Sequence, residues 1–122
     1  MPANRRFRCT ATGDAMITRR LPVDGDYNGF DAVRDFILQG EFRYGNLETT
    51  VHNFESSGAA RSGGSWLCSS PGVLDDMRRF GFNILNLANN HALDYGPRGL
   101  ERTMHYLQRR QAIQAGGIWY PA

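Results

Sequence analysis

Three clusters of polar side chains stand at the ends of apolar runs, and they carry most of the chain's capacity for chemistry. Asp14 follows Gly13; Asn46 and Glu48 lie two residues apart; Asn89, Asn90 and His91 run together, with Asp94 three residues on. Carboxylate and amide oxygens together with an imidazole nitrogen are the donors that a hard or borderline divalent cation takes. Taken singly, each has an ordinary use. Asp14 and Asn46 are good turn residues, Glu48 suits a solvated loop, Asn89-Asn90 tolerates left-handed dihedrals, and a lone histidine is more often structural than catalytic. What argues for a shared site is their arrival at the ends of three successive apolar runs.

Those runs alternate with amphipathic stretches, the pattern of β-α units feeding a mostly parallel sheet. Residues 7–12 read as a first strand broken at Gly13-Asp14. Residues 30–38 read as a helix burying Phe30, Val33, Phe36 and Ile37, with Asp31 in its first turn and Gly40 beyond its end. Residues 41–47 form the next expected strand. A Ser-, Gly- and Asn-rich stretch, 52–70, follows as a loop or mobile flap. Ser70-Pro71 then signals a helix start, carried on by Val73, Leu74, Met77 and Phe80 to Gly81. Residues 82–88 read as a strand covered on both faces. Pro97 opens a last helix with Leu100, Met104 and Leu107 inside and Glu101, Arg102, Arg109 and Arg110 in water. Residues 112–119 begin a fourth strand. In an open parallel sheet, ligands bind outside the carboxyl ends of the strands, which is where the three polar clusters fall.

The segments Thr12-Gly13-Asp14-Ala15-Met16-Ile17, Phe42-Arg43-Tyr44-Gly45-Asn46-Leu47-Glu48-Thr49 and, most specifically, Leu87-Ala88-Asn89-Asn90-His91-Ala92-Leu93-Asp94-Tyr95-Gly96 resemble the bacterial capsule-synthesis CapA family, also called the poly-gamma-glutamate biosynthesis family. The likeness runs from about Arg8 to Gly117 and includes Ser70-Pro71-Gly72-Val73-Leu74 and Gly81-Phe82-Asn83. That family is related to the calcineurin-like metallophosphoesterases, whose third motif has the form Gly-Asn-His-Glu. The resemblance therefore implies an α/β fold like the N-terminal half of a metallophosphoesterase domain. It also implies roles. Asp14 stands where the first metal-binding aspartate does, Glu48, or alternatively Asn46, where the carboxylate bridging two metals does, and Asn90 binds metal through its amide oxygen. His91 contacts a substrate phosphate or protonates the leaving group, Asn89 and Asp94 are additional candidates, and Arg19 or Arg43 helps neutralise the substrate. The implied cofactors are divalent ions, Mn, Zn, Fe or Mg, two in a complete site. The implied chemistry is metal-dependent hydrolysis of a phosphorylated substrate, with an anionic polymer as the other candidate ligand.

Two departures from the pattern set further expectations. Met16 stands where the phosphoesterases have a histidine ligand, and the chain has no equivalent of the later histidines of the longer family members; His52 and His105 do not match them and read as surface residues. The expectation is a single, partial domain over 1–122 with an incomplete metal site and weak or no turnover by itself. The alternative, from another class, is an inactive shortened member serving as a binding or self-assembly module, completed by a second copy or by a missing C-terminal half.

Composition trims the remaining classes. The chain has 122 residues, 41% hydrophobic and 21% charged, and its 14 basic residues, all arginine, against 12 acidic ones leave a net charge of +2. The arginines are scattered among carboxylates, so no nucleic-acid partner is expected. No run approaches the ~20 apolar residues of a membrane span, and no signal peptide is read at the N-terminus. Cys9 and Cys68 are too few for a disulfide framework; Cys9 reads as a small buried hydrophobe, and a reduced, cytoplasmic setting is expected.

Overall fold

A computed structural model describes residues 6–22, 28–111 and 114–115. In chain order the elements are β1 (Cys9–Ala15), α1 (Phe30–Ile37), β2 (Phe42–Leu47), β3 (Thr50–Val51), β4 (Cys68–Ser69), α2 (Val73–Arg79), β5 (Ile84–Asn86), α3 (Gly96–Gln108) and β6 (Gln114–Ala115). Four strands form one sheet in the order β1-β2-β5-β6, every pair parallel, and β3 and β4 form a second parallel pair. This is an α/β fold with a parallel sheet flanked by helices. Ile37, Leu47, Val51, Leu74, Met77, Leu85 and Leu107 pack as its core, each at most 2% exposed. On the apolar-area scale, each such side chain contributes about 2 kcal/mol.

Gly13-Asp14 does not end β1. The pairing passes from Ala11 opposite Tyr44 to Asp14 opposite Asn46, so β1 advances three residues while β2 advances two. A one-residue bulge therefore carries the strand through to Ala15, and such bulges re-aim the side chain next to them. Asp14 is thereby set level with Asn46 at the carboxyl edge of the sheet.

Several sequence expectations need correction. Val33 and Phe36 are 48% and 52% exposed, because α1 buries only Phe30 and Ile37. Ser70 does not cap α2 through its side chain. Its carbonyl accepts from Val73 N at 3.0 Å in a turn through Pro71 and Gly72, and the helix starts two residues later than expected. The strand expected over 82–88 pairs only from Ile84 to Asn86, although Phe82 and Leu87 beside it are buried. Cys9 is exposed, since among the described residues β1 has a neighbour on one side only and an open burial pattern. His52 is the reverse: expected at the surface, it is 1% exposed beneath Tyr95. His105 is exposed, as expected. The stretch 52–70 contains β4, and of the residues expected as a fourth strand, 114–115 form β6 while the others lie outside the described residues. Arg110 is half-buried, its guanidinium forked onto Asp75 at 2.9 and 3.0 Å.

Candidate functional site

Asn46 is the hub of the sheet's carboxyl edge. Its Nδ2 donates to Asp14 Oδ1 at 2.9 Å and makes a short hydrogen bond to Glu48 Oε2. Its Oδ1 accepts from Asn86 Nδ2 at 2.9 Å and from Asn89 Nδ2 at 3.1 Å. The parallel register explains the meeting, since Asn46 is opposite Asp14 on one side and Asn86 on the other. Asn86 is a member that sequence reasoning missed; its signal was a polar residue inside an otherwise apolar run. Asn89 also donates to Leu47 O at 2.9 Å and accepts from His91 N at 3.1 Å, which bends the chain after β5 so that His91 follows at once.

His91 is held by Asp94. Its Nδ1 donates to Asp94 Oδ2 at 2.7 Å, and Asp94, completely buried, also accepts from Gly63 N at 2.8 Å and Leu67 N at 2.7 Å. An ionised carboxylate only accepts, so this bond puts the imidazole proton on Nδ1 and leaves Nε2 for another group. Asn90 donates its Nδ2 to Gly63 O at 2.8 Å, which leaves its Oδ1 unused among the described residues.

Glu48 is 6% exposed. Burial, and then the nearby Asp14 charge, push its carboxyl above the ordinary range, with a smaller push from Asp94; His91 and the Asn46 amide pull it back down. Five of the predicted residues thus act on one another, and the carboxylates of Asp14 and Glu48 share one amide between them.

The residues at this edge carry atom types that a divalent cation takes. Asp14, Glu48 and the free Oδ1 of Asn90 are suitable ligand atoms, two neighbouring carboxylates are what a cation relieves, and Nε2 of His91 stays open toward a substrate. Asn46 Oδ1 has both lone pairs engaged, so its part is to orient the carboxylates. Among the described residues, no three His, Cys, Asp or Glu side chains gather closely enough to form a metal cluster. The two arginines differ from the rest. Arg43 sits toward the opposite end of β2, donating to Gly40 O at 3.1 Å and, through Nε, to Gly81 O, while Arg19 is an exposed residue beyond β1.

A parallel α/β sheet whose strand ends carry a carboxylate–amide network and a His–Asp pair defines the class. The chain belongs to the family described as bacterial capsule synthesis protein PGA_cap, which matches residues 8–119. Two relatives from Sinorhizobium fredii (strain NBRC 101917 / NGR234), uncharacterized proteins y4sH and y4uA, are each 33% identical over 113 residues, 90% of this chain and 24% of their own length. The capsule biosynthesis protein CapA of Bacillus anthracis is 26% identical over 106 residues, 83% of this chain and 26% of its own length. The chain therefore spans about a quarter of the length of these curated relatives.

Proposed function

We propose that this chain forms part of a capsule-synthesis protein with a metallophosphoesterase-type site, and that Asp14, Glu48, Asn90 and His91 are its contribution to that site. The observation that carries the reading is the shared Asn46 amide between Asp14 and Glu48, joined through Asn89 to the His91–Asp94 pair. A divalent ion bound there would lower the pKa of a water molecule and neutralise charge on a phosphoryl group. The protein's own part is positional. Asn46, Asn86 and Asn89 hold the carboxylates and the turn into His91 while engaging only one oxygen of each carboxylate, Asp14 Oδ1 and Glu48 Oε2. Asp94 accepts from Nδ1 and leaves Nε2 as the ring atom facing a substrate, where a doubly protonated ring would give its Nε2 proton to the leaving-group oxygen and return to the neutral form. The ligand set is incomplete, and turnover by these residues alone is weak.

Calorimetric titration of manganese into metal-free protein tests this, run beside an Asp14→Ala, His91→Ala double variant. Saturable binding that the variant loses is the expected result. Equal heats from both proteins would remove the site.

A second reading, a binding or self-assembly module, is favoured by one observation: Phe7, Val33, Phe36 and Phe42 are 57%, 48%, 52% and 44% exposed near the β1 side of the sheet. Such a surface on an edge strand favours association. Sedimentation equilibrium distinguishes it: a monomer at all concentrations rules out self-assembly.

A further inference from the structure

A cavity of about 300 Å³ opens beyond the carboxyl ends of the small β3-β4 sheet. Its walls come from residues that directly follow those strands, His52, Asn53 and Phe54 after β3 and Ser70 after β4, together with Cys68, Ser69 and Thr18. This is the position at which parallel sheets gather ligands, and the volume lies at the small end of ligand sites, enough for one ring-sized molecule. None of the seven lining side chains is a carboxylate, an ammonium or a guanidinium. Burial pushes the His52 imidazole below its ordinary value, so it too is uncharged at neutral pH.

Two features of the wall point to an occupant. Phe54 is 77% exposed and has φ of +56°, a left-handed conformation that a bulky side chain rarely adopts. Strain of this kind clusters at ligand clamps, and here it holds an aromatic face in solvent beside the cavity, edge-on to the His52 ring at 6.2 Å. The second feature is unused polar capacity. The exposed Thr18 and Ser70 have no side-chain hydrogen-bond partner among the described residues, and the buried His52, bonded to Cys68 Sγ at 3.5 Å, has only a long 3.5 Å contact to Thr50 Oγ1 besides. Hydroxyls, an amide and an imidazole around an aromatic face, with no net charge, match a neutral polyhydroxylated ring.

We infer that this cavity is a subsite for a neutral saccharide unit, with Phe54 as its stacking face and Thr18, Asn53, Ser70 and His52 as hydrogen-bonding groups. The apolar faces of a sugar ring suit the Phe54 ring, and its hydroxyls can both donate and accept at the wall. The inference is independent of the metal-site reading, since it uses none of that site's residues.

The test is a proton–nitrogen correlation NMR titration of the whole chain with methyl β-glucopyranoside and methyl β-N-acetylglucosaminide, beside glucuronate and glycerol. Saturable shifts confined to residues 18, 52–54 and 68–70 are expected with at least one neutral glycoside. Phe54→Ala should weaken that binding about tenfold and Phe54→Trp should retain it. The exposed position of Phe54 keeps both variants folded, which their spectra check, and Ser70→Ala supplies a second, milder loss. Absence of shifts with both glycosides, equal shifts with glycerol, tighter binding of glucuronate, or unchanged affinity in Phe54→Ala would each overturn the inference.

Discussion

The 2.7 Å hydrogen bond from His91 Nδ1 to Asp94 Oδ2 ends on a carboxylate that also holds Gly63 N and Leu67 N, so one buried side chain orients the imidazole and fastens the 59–67 segment over it. Ala59 N adds a bond to the Asp94 carbonyl at 2.8 Å, and Ser56 Oγ one to Tyr95 O at 2.8 Å. The orientation of the imidazole and the stability of that loop are therefore coupled through Asp94.

Asp94→Asn exposes that coupling. An amide offers one accepting oxygen and turns a donor toward one of its former partners, so at least one backbone N–H or the imidazole loses its acceptor. The expected cost is about 2–3 kcal/mol in urea unfolding, with faster amide exchange at Gly63 and Leu67. Nitrogen chemical shifts of His91 should show the proton moving from Nδ1 toward Nε2. Unchanged exchange together with an unchanged tautomer would contradict this account of Asp94.

Gly63 tests the same contact from the other side. A Cβ built there would lie 2.6 Å from the Asn90 carbonyl carbon and 2.8 Å from Asn90 Nδ2, so backbone would have to move. Gly63→Ala should cost about 1–3 kcal/mol and displace Asn90 from the site. Gly13→Ala, with nothing within 4 Å of its Cβ, is the comparison that should stay near wild type. Equal melting temperatures for the two variants would show that the close approach is not maintained in solution.

The elements that position the site were legible because they bury long apolar stripes: Leu74 and Met77 in α2, Leu100 and Leu107 in α3, Leu85 in β5. Their polar ends marked the carboxyl edge of the sheet. Less was legible where a contact between distant segments decides the outcome. His52 is buried because Tyr95 packs on it, and nothing in a Ser- and Gly-rich stretch announces that. β3 and β4, two residues each, are too short for any periodicity. The bulge at Gly13-Asp14 looked like a break, since glycine before aspartate signals a turn as well as a bulge. Arg43 offers the opposite lesson. It is the second residue of a strand whose far end carries Asn46, so its distance from the site follows from counting along the strand.

Acid should unfold the protein partly through Asp76, which is 1% exposed. Burial works to raise its pKa, but the Arg20 guanidinium, at 2.8 and 2.9 Å, and Leu21 N, at 3.0 Å, outweigh burial and hold the carboxyl below its ordinary value of 3.8. Asp75, through its hydrogen bonds from Arg110, is shifted the same way. A depressed folded-state pKa means that the stabilisation is fully present above the unfolded value and is lost as pH falls through the folded one. Asp76→Asn should therefore lose about 2 kcal/mol at neutral pH and show a flatter stability profile below pH 3.8. Parallel profiles for variant and wild type, measured by urea unfolding, would assign the acid sensitivity elsewhere.

Thr103 joins α3 to the small sheet. Its hydroxyl, 2% exposed, accepts from Val51 N at 2.8 Å and donates to Gly99 O at 2.9 Å within its own helix. Val51 is itself completely buried, so no water replaces a lost acceptor. Thr103→Val keeps the shape and leaves that N–H unpaired, at a cost of about 1–3 kcal/mol, whereas Thr103→Ser keeps the hydroxyl and loses only a methyl group, about 1 kcal/mol. Because β3 leads straight into His52 and Phe54, the valine variant should also speed amide exchange at those residues, and serine should restore it. If valine proved as stable as wild type, the α3-to-β3 hydrogen bond would contribute nothing to holding that end of the sheet in place.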